Sequence, residues 1–314
     1  MRQKDKKMKI AVTGGAGFIA SHVADAYIKE GHQVHIIDNL STGNAENINP
    51  NAVFHNIDIC DKSLHKLFEV EKFDLVSHYA AQMNVRVSVS DPIFDATTNI
   101  LGTLNILEAA KDTGVKKIVF ASSGGTVYGE QDYFPADEEH PTRPCSPYGI
   151  SKVAVEKYLF YYDQVYGLKH CIFRYGNVYG RRQNPHGEAG VVAIFIDKMM
   201  NHEQPVINGD GLITRDYIYI DDVVAANLLA LKPEVTGTYN VTTGVETDVN
   251  TIFRNLKELM HSDCREYHGE AKAGEQRRSV CSYKKIHDAF GFTPKFSFFE
   301  GMKQTVADAL NCKK

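Results

Sequence analysis

No segment of this 314-residue chain approaches the roughly 20 consecutive apolar residues that a membrane-spanning helix needs. A basic leader, MRQKDKK, is followed by MKIAVTGG, whose glycines interrupt the run before the apolar core of a signal peptide can form. Neither secretion nor membrane insertion is expected, and the cytoplasm is the expected compartment. An excess of one charge is also missing: 35 Lys and Arg against 39 Asp and Glu leave a net charge of −4, scattered without a basic stripe for nucleic acid. The six cysteines (Cys60, Cys145, Cys171, Cys264, Cys281, Cys312) form no CxxC pair and no Cys/His cluster. That excludes a disulfide framework and a zinc site from expectation and leaves reduced, structural thiols. The thirteen histidines form no HExxH or HxH pair, so no metal is expected. Linkers, internal repeats and low-complexity tracts are absent as well.

What the chain does have is a hydrophobic fraction of 43%, enough for a sizeable core. Its first half alternates short β-branched runs with helical patterns, which predicts a parallel sheet wound by crossover helices. The runs predict strands at 10–13, 34–37, 53–56, 75–77, 118–121 and 171–175. Helices are predicted at 17–30, 62–70, 92–113, 147–167, 221–231 and 249–261. The fold class is α/β: a Rossmann-type doubly wound parallel sheet with a smaller C-terminal lobe. The expected boundaries are 8–175, with about 215–243, for the first lobe, and 176–214 with 244–314 for the second.

Gly14, Gly15 and Gly17 stand where the first strand turns into a helix, and small residues there let the backbone approach a diphosphate at the helix N-terminus. About 20 residues on, Asp38 ends the second strand, where a carboxylate accepts both ribose hydroxyls of an adenosine and repels a 2′-phosphate. NAD is favoured over NADP. Asp38 could equally cap the following turn. Asp58, after the third strand, suits either the adenine side or a turn cap.

Tyr148 and Lys152 lie four apart in SPYGISK, on one face of a helix. A neighbouring ammonium and a positively charged oxidised nicotinamide both favour the phenolate, which makes Tyr148 a candidate general base. Upstream, IVFASSGGTVYG places hydroxyls at the carboxyl end of a strand, where open α/β sheets bind ligands. Ser122, Ser123 and Thr126 are the candidates to bond a substrate hydroxyl or close the turn.

The ordered runs TGGAGFIASH, DNLSTG, HYAAQ, SSGGTVYG, SPYGISK, RYGNVYG and RDYIYIDDVV resemble the extended short-chain dehydrogenases/reductases. Within them the chain is most similar to NAD-dependent sugar-nucleotide epimerases of the UDP-glucose 4-epimerase type, over about residues 8–310. The resemblance implies that Phe18 and Ile19 border the cofactor diphosphate, and that Asn39, Ser41, Gly43 and Ile59 flank its adenosine half. It implies that Ala80, Ala81 and Gln82 run along the cofactor and that Asn99 supports the site. Asn177 and Arg215 are implied on the substrate diphosphate, with Arg277 toward its nucleotide. Arginine's planar fork suits phosphate oxygens, although surface salt bridges would use the same residues. Ser279 aligns with a position that gates the sugar pocket, where a small side chain leaves room for an N-acetyl group.

Three residues depart from the family pattern. Ala20 stands at the third glycine, Gly124 where the catalytic Ser or Thr usually lies, and Arg181 where proline is common. The implied activity is epimerisation of a UDP-sugar at carbon 4 through a 4-keto intermediate, by a homodimer built on the tyrosine helix and the 92–113 segment. A dehydratase or decarboxylase on this scaffold would need an extra acid where Gly124, Gly125 and Thr126 stand. A non-catalytic NAD-binding protein would not need the Tyr148/Lys152 pair.

Overall fold

The computed structural model describes residues 7–186, 190–271 and 276–312. Most of the basic leader, three residues of the GRRQNPHGEAG loop, Gly274 and Glu275 of GEQRR, and the Cys312 side chain lie outside the described residues. The strands are β1 Lys9–Thr13, β2 Gln33–Ile37, β3 Val53–His55, β4 Leu75–His78, β5 Lys117–Ser123, β6 Lys169–Tyr175, β7 Asn177–Tyr179, β8 Ile207–Asn208, β9 Thr214–Tyr219, β10 Gly237–Val241, β11 Glu246–Asp248, β12 His268–Gly269 and β13 Arg278–Ser279. The helices are α1 Phe18–Lys29, α2 Ser63–Glu71, α3 Val85–Ser90, α4 Pro92–Ala96, α5 Gly102–Thr113, α6 Gly124–Val127, α7 Pro147–Tyr166, α8 Val191–Met200, α9 Ile220–Leu229, α10 Val249–Leu259, α11 Lys284–Phe290 and α12 Phe298–Cys312.

Two compact units emerge: one comprises the chain up to Ser122 with Ser146–Phe173 and Val224–Thr238, the other Ser123–Cys145, Arg174–Val223 and the chain from Tyr239 on. Residues 123–145, 174–175, 215–223 and 239–243, expected in the first lobe, therefore fall in the second. Hydrogen bonds hold the first of these segments there: Tyr128 Oη donates to Asn240 Oδ1 at 2.7 Å, Val280 N donates to Gln131 Oε1 at 3.1 Å, and Ala136 bridges Cys281.

The first unit is organised on a seven-stranded sheet ordered β3-β2-β1-β4-β5-β6-β10. β1 pairs in parallel with both β2 and β4, so the strand order reverses at β1. In open sheets of this kind ligands lie beyond the carboxyl ends of the strands at that reversal. The core explains why these runs became strands: Ala11, Ile37, Val76, Ile118, Phe120 and Ile172 from the sheet pack against Leu64 and Phe68 of α2, Ile106 and Leu107 of α5, and Val155 and Leu159 of α7. Each such large side chain contributes roughly 1.5–3 kcal/mol on burial.

The predicted helix at 92–113 is present, with a π-helical turn inside it. α4 starts on Pro92 and is capped by Asp91, whose side chain accepts from Phe94 N at 2.9 Å; a π-helical turn, Thr97–Leu101, then separates it from α5. Such turns inside helices often mark functional positions, and this one carries Asn99.

The second unit's sheet runs β11-β9-β13, with β7 also paired to β9. Registers put Ser279 opposite Arg215, Thr247 opposite Arg215 and Asn177 opposite Tyr217. Neither the two-residue strands nor α8, whose first six residues are all apolar, was expected, since neither presents a clear alternation in the sequence.

Candidate active site

At the sheet's reversal point the chain leaves β1 through Gly14, whose φ is +69°. A Cβ there would lie 2.7 Å from Ala80 N and 2.9 Å from Ala80 Cα, so only glycine lets the turn close against the backbone after β4. A Cβ at Gly15 would meet the Ile36 side chain at 2.6 Å. Gly17 N-caps α1 without a side-chain cap, and no acidic residue occupies the first turn. The opening amides of α1, those of Phe18 and Ile19 among them, have no intrahelical partner and carry the positive end of the helix dipole. This cradle fits a pyrophosphate.

Asp38, 8% exposed, accepts from Ala16 N at 3.0 Å and Leu40 N at 2.8 Å. It does cap its turn, and lone pairs remain on both oxygens. A methyl at Gly43 would lie 3.0 and 3.1 Å from those oxygens, so the absent side chain keeps the carboxylate approachable. Asn39 donates to Asp58 Oδ2 at 2.7 Å and accepts from Ser41 N at 3.0 Å, while Asp58 also takes Cys60 N at 2.8 Å. Ile59 points its side chain into the core, which leaves only its backbone for a ligand.

The loop Ala80–Gln82 follows β4. Asn99, turned by the π-helical segment, accepts from Gln82 N at 2.8 Å and donates to Gln82 O at 2.9 Å, gripping that loop from both sides.

α7 begins with Ser146, whose hydroxyl accepts from Gly149 N at 3.1 Å, and with Pro147 at its first position. Tyr148 follows directly, and Lys152 lies one turn further on. Lys152 is 5% exposed; its Nζ donates to Ala121 O at 2.8 Å and lies 4.7 Å from the Phe120 ring centre and 5.5 Å from that of Tyr148. Burial lowers the Lys152 pKa to about 8, against the opposing pull of the Asp95 and Glu156 carboxylates. The Tyr148 phenol, though part of the residue reaches the surface, is pushed well above its ordinary value, by burial first and by the Asp95 carboxylate second. The chain's own surroundings thus oppose ionisation of the phenol, and of the two positive charges expected to favour it, the Lys152 ammonium and the oxidised nicotinamide, only the first belongs to the chain. Ser122 Oγ donates to buried Glu156 at 2.6 Å, so its proton is committed and it can meet a ligand hydroxyl only as an acceptor.

In the second unit Ser123 stands at the N-cap position of α6 without a side-chain capping bond, and Thr126 Oγ1 is buried without a partner among the described residues. Asn177 Oδ1 would be 3.5 Å from a Cβ at Gly125, which brings Asn177 beside the GGTV turn. A Cβ at Gly124 would meet Tyr175 O at 3.2 Å and Cys281 Sγ at 3.3 Å; the residue opposite has taken the room a serine would use. Arg215 donates to Thr214 O at 2.8 Å, and exposed Arg277 reaches Asp210 at 3.2 Å. Ser279 is buried beside Arg215 in the sheet. Sequence reasoning missed Asp95, Glu156 and Asp216. The last has its pKa pushed up to about 6 by burial, against the opposing effect of the backbone amides of Thr243, Gly244 and Cys281, which it holds together.

A doubly wound α/β unit with a glycine cradle, an acid at the end of β2 and a YxxxK pair defines the class: a dinucleotide-dependent short-chain dehydrogenase/reductase scaffold. The chain belongs to the NAD dependent epimerase/dehydratase family, whose model matches residues 10–242. It is 41% identical over 306 residues to the UDP-glucose 4-epimerase of Mycolicibacterium smegmatis, spanning 95% of this chain and 97% of that one. The structure of a UDP-glucose 4-epimerase with UDP-glucose from Thermotoga maritima matches at a TM-score of 0.95 and 45% identity, covering 98% of this chain and all of the other. The Thermus thermophilus UDP-glucose 4-epimerase in complex with NAD matches at 0.91 and 42%, covering 96% and 98%.

Proposed function

We propose that the chain is an NAD-dependent UDP-sugar 4-epimerase acting on UDP-glucose and UDP-galactose. The observation that carries this reading is the presence, in one unit, of the Gly14 cradle, the open Asp38 carboxylate and the Tyr148/Lys152 pair. The first unit is the NAD lobe in this proposal and the second the nucleotide-sugar lobe.

The cradle amides hold the cofactor diphosphate, Asp38 takes the adenosine ribose, and Ala80–Gln82 run along it. Bound NAD supplies a hydride acceptor that becomes a donor in the return step, together with a positive ring charge. Tyr148 takes the proton of the sugar 4-hydroxyl as carbon 4 is oxidised to the ketone, and gives it back when the opposite face is reduced. Lys152 holds positive charge beside Tyr148 and the end of β5. Thr126, with its unsatisfied hydroxyl, bonds the sugar oxygen in place of the residue missing at Gly124; Ser123 is the neighbouring alternative. Asn177, Arg215 and Arg277 anchor the UDP moiety while the keto sugar turns, and the small Ser279 leaves room for an N-acetylhexosamine pair.

The exposed apolar residues Ile93, Phe94, Leu101, Ile150, Phe160 and Val165 support a homodimer through α7 and the α4–α5 segment. Light scattering at the monomer mass would remove that part. Unpaired thiols at Cys60, Cys145, Cys171, Cys264 and Cys281 suit a reducing cytoplasm. Among the described residues no helix is long and apolar enough to cross a membrane.

Incubation with UDP-glucose, UDP-N-acetylglucosamine and UDP-glucuronate, followed by NMR of the anomeric protons, tests the reading. The 4-epimer of the first is expected. An accumulating keto sugar would replace epimerisation by dehydratase chemistry.

A further inference from the structure

The geometry points to Asp95 as a positioning residue for the reaction, a buried anion that ties the YxxxK helix to the cofactor loop and holds the proton of Lys152; this rests on the epimerase reading above. Asp95 is fully buried. Its Oδ2 accepts from Ser151 Oγ at 2.6 Å, and its Oδ1 accepts from Gln82 Nε2 at 2.9 Å and Asn99 Nδ2 at 3.0 Å. Two amide NH2 groups and one serine hydroxyl face the group, a set that suits an ionised carboxylate. Ser151 precedes Lys152 directly, while Gln82 ends the loop after β4. One carboxylate therefore fixes α7, the cofactor loop and the π-helical turn to each other.

The same node terminates a buried chain of hydrogen bonds that starts at the glycine turn. Thr103 Oγ1 donates to Asn99 O at 2.6 Å, so its proton is committed and it must accept from His78 Nε2 at 2.9 Å. His78 Nδ1 then carries no proton and accepts from Thr13 Oγ1 at 2.7 Å, at the end of β1. Burial keeps this imidazole neutral, its pKa lowered to about 3, as the donor count requires. From Thr13 through His78, Thr103 and Asn99 to Asp95 and Ser151, every donor has one direction, which makes the arrangement single-valued.

The charged groups around Lys152 are few. Asp95 on α4 and Glu156 on α7 favour its ammonium, and Tyr148 shares its helix face. His78 on β4 is neutral. Glu156 is already bonded by Ser122, so Asp95 is the anion that links this ammonium to the cofactor loop. Its charge opposes the phenolate at Tyr148 and favours the cation at Lys152, and thus sets where each group titrates.

The test uses the NAD-loaded protein and two variants. Asp95→Asn keeps the shape and can still bond all three partners, but removes the charge. Asp95→Ala leaves Gln82, Asn99 and Ser151 without their acceptor. The first readout needs no turnover: lysine labelled with 13C at Cε, with the Lys152 resonance assigned by its loss in Lys152→Met. We expect the Lys152 midpoint to fall in Asp95→Asn by roughly half a unit or more. The pH profile of UDP-glucose epimerisation should move acidward with it, with the KM for UDP-glucose nearly unchanged. Asp95→Ala should lose at least about tenfold in kcat. An unmoved Lys152 midpoint with an unshifted profile in Asp95→Asn would overturn the inference. Failure of the wild-type protein to epimerise any UDP-sugar would instead count against the epimerase reading, and the NMR titration separates the two.

Discussion

Replacing Lys152 by methionine should separate stability from activity, because the ammonium sits where the folded chain resists charge. Burial lowers its pKa from 10.5 to about 8. At about 1.4 kcal/mol per unit, that is roughly 3 kcal/mol by which the folded protein disfavours the cation below pH 8. Methionine removes this cost but leaves Ala121 O, now bonded at 2.8 Å, without its donor, a loss of about 1–3 kcal/mol. At pH 7 the cofactor-free variant is therefore expected to gain about 1 kcal/mol or to match the wild type. The pH dependence is the sharper signature. An unfolded lysine keeps its proton to about 10.5 and the folded one only to about 8, so between these values the unfolded chain binds more protons and wild-type stability rises with pH. From pH 7 to 9.5 the wild type should gain roughly 2 kcal/mol on the variant. Urea titrations of both proteins at the two pH values measure the difference, in which every other titrating group cancels. A variant less stable by several kcal/mol at pH 7, or a difference that does not change with pH, would refute the reasoning.

Tyr148→Phe should lower kcat by about 10²–10⁴ while the protein retains its NAD, measured by epimer formation and by cofactor content after denaturation. Gly14→Ala forces a methyl against Ala80 N at φ +69°, and is expected to destabilise the first unit by about 1–3 kcal/mol and to abolish NAD retention. Gly43→Ala puts a methyl 2.8 Å from Ala16 Cβ and against the Asp38 carboxylate, and should weaken NAD binding about tenfold while lowering the thermal midpoint, both read by calorimetry. Gly124→Ser should destabilise the protein by about 1 kcal/mol through its contacts with Tyr175 O and Cys281 Sγ, a loss that Cys281→Ala should partly relieve.

The first half of the fold was legible because parallel strands buried on both faces read as apolar runs, and α7 opens on a Ser-Pro start. Ile10–Thr13 and Val34–Ile37 lie within the observed strands, and Pro147 opens α7 as it should. The glycine turn and Tyr148/Lys152 were legible for a different reason: a diphosphate and a phenol base restrict residue type at fixed spacing. Asp95 was not, because a single acid in DPIFDATTN has no spacing signal and acquires meaning only when the π-helical turn brings Asn99 and Gln82 to it. Ser122 and Ser123 look alike in sequence, yet strand alternation sends one to Glu156 and leaves the other at the start of α6 without a capping bond. Short strands such as Arg278–Ser279 exist through pairing with β9, which no local pattern encodes.

The central claim is that one sugar carbon is oxidised and reduced within a single binding event. UDP-glucose carrying deuterium at carbon 4, incubated with the purified protein in ordinary water without added NAD, tests it directly. The account predicts UDP-galactose with the deuterium retained at carbon 4. Galactose formed with the label lost to solvent, or no conversion by a protein that holds its cofactor, would contradict it.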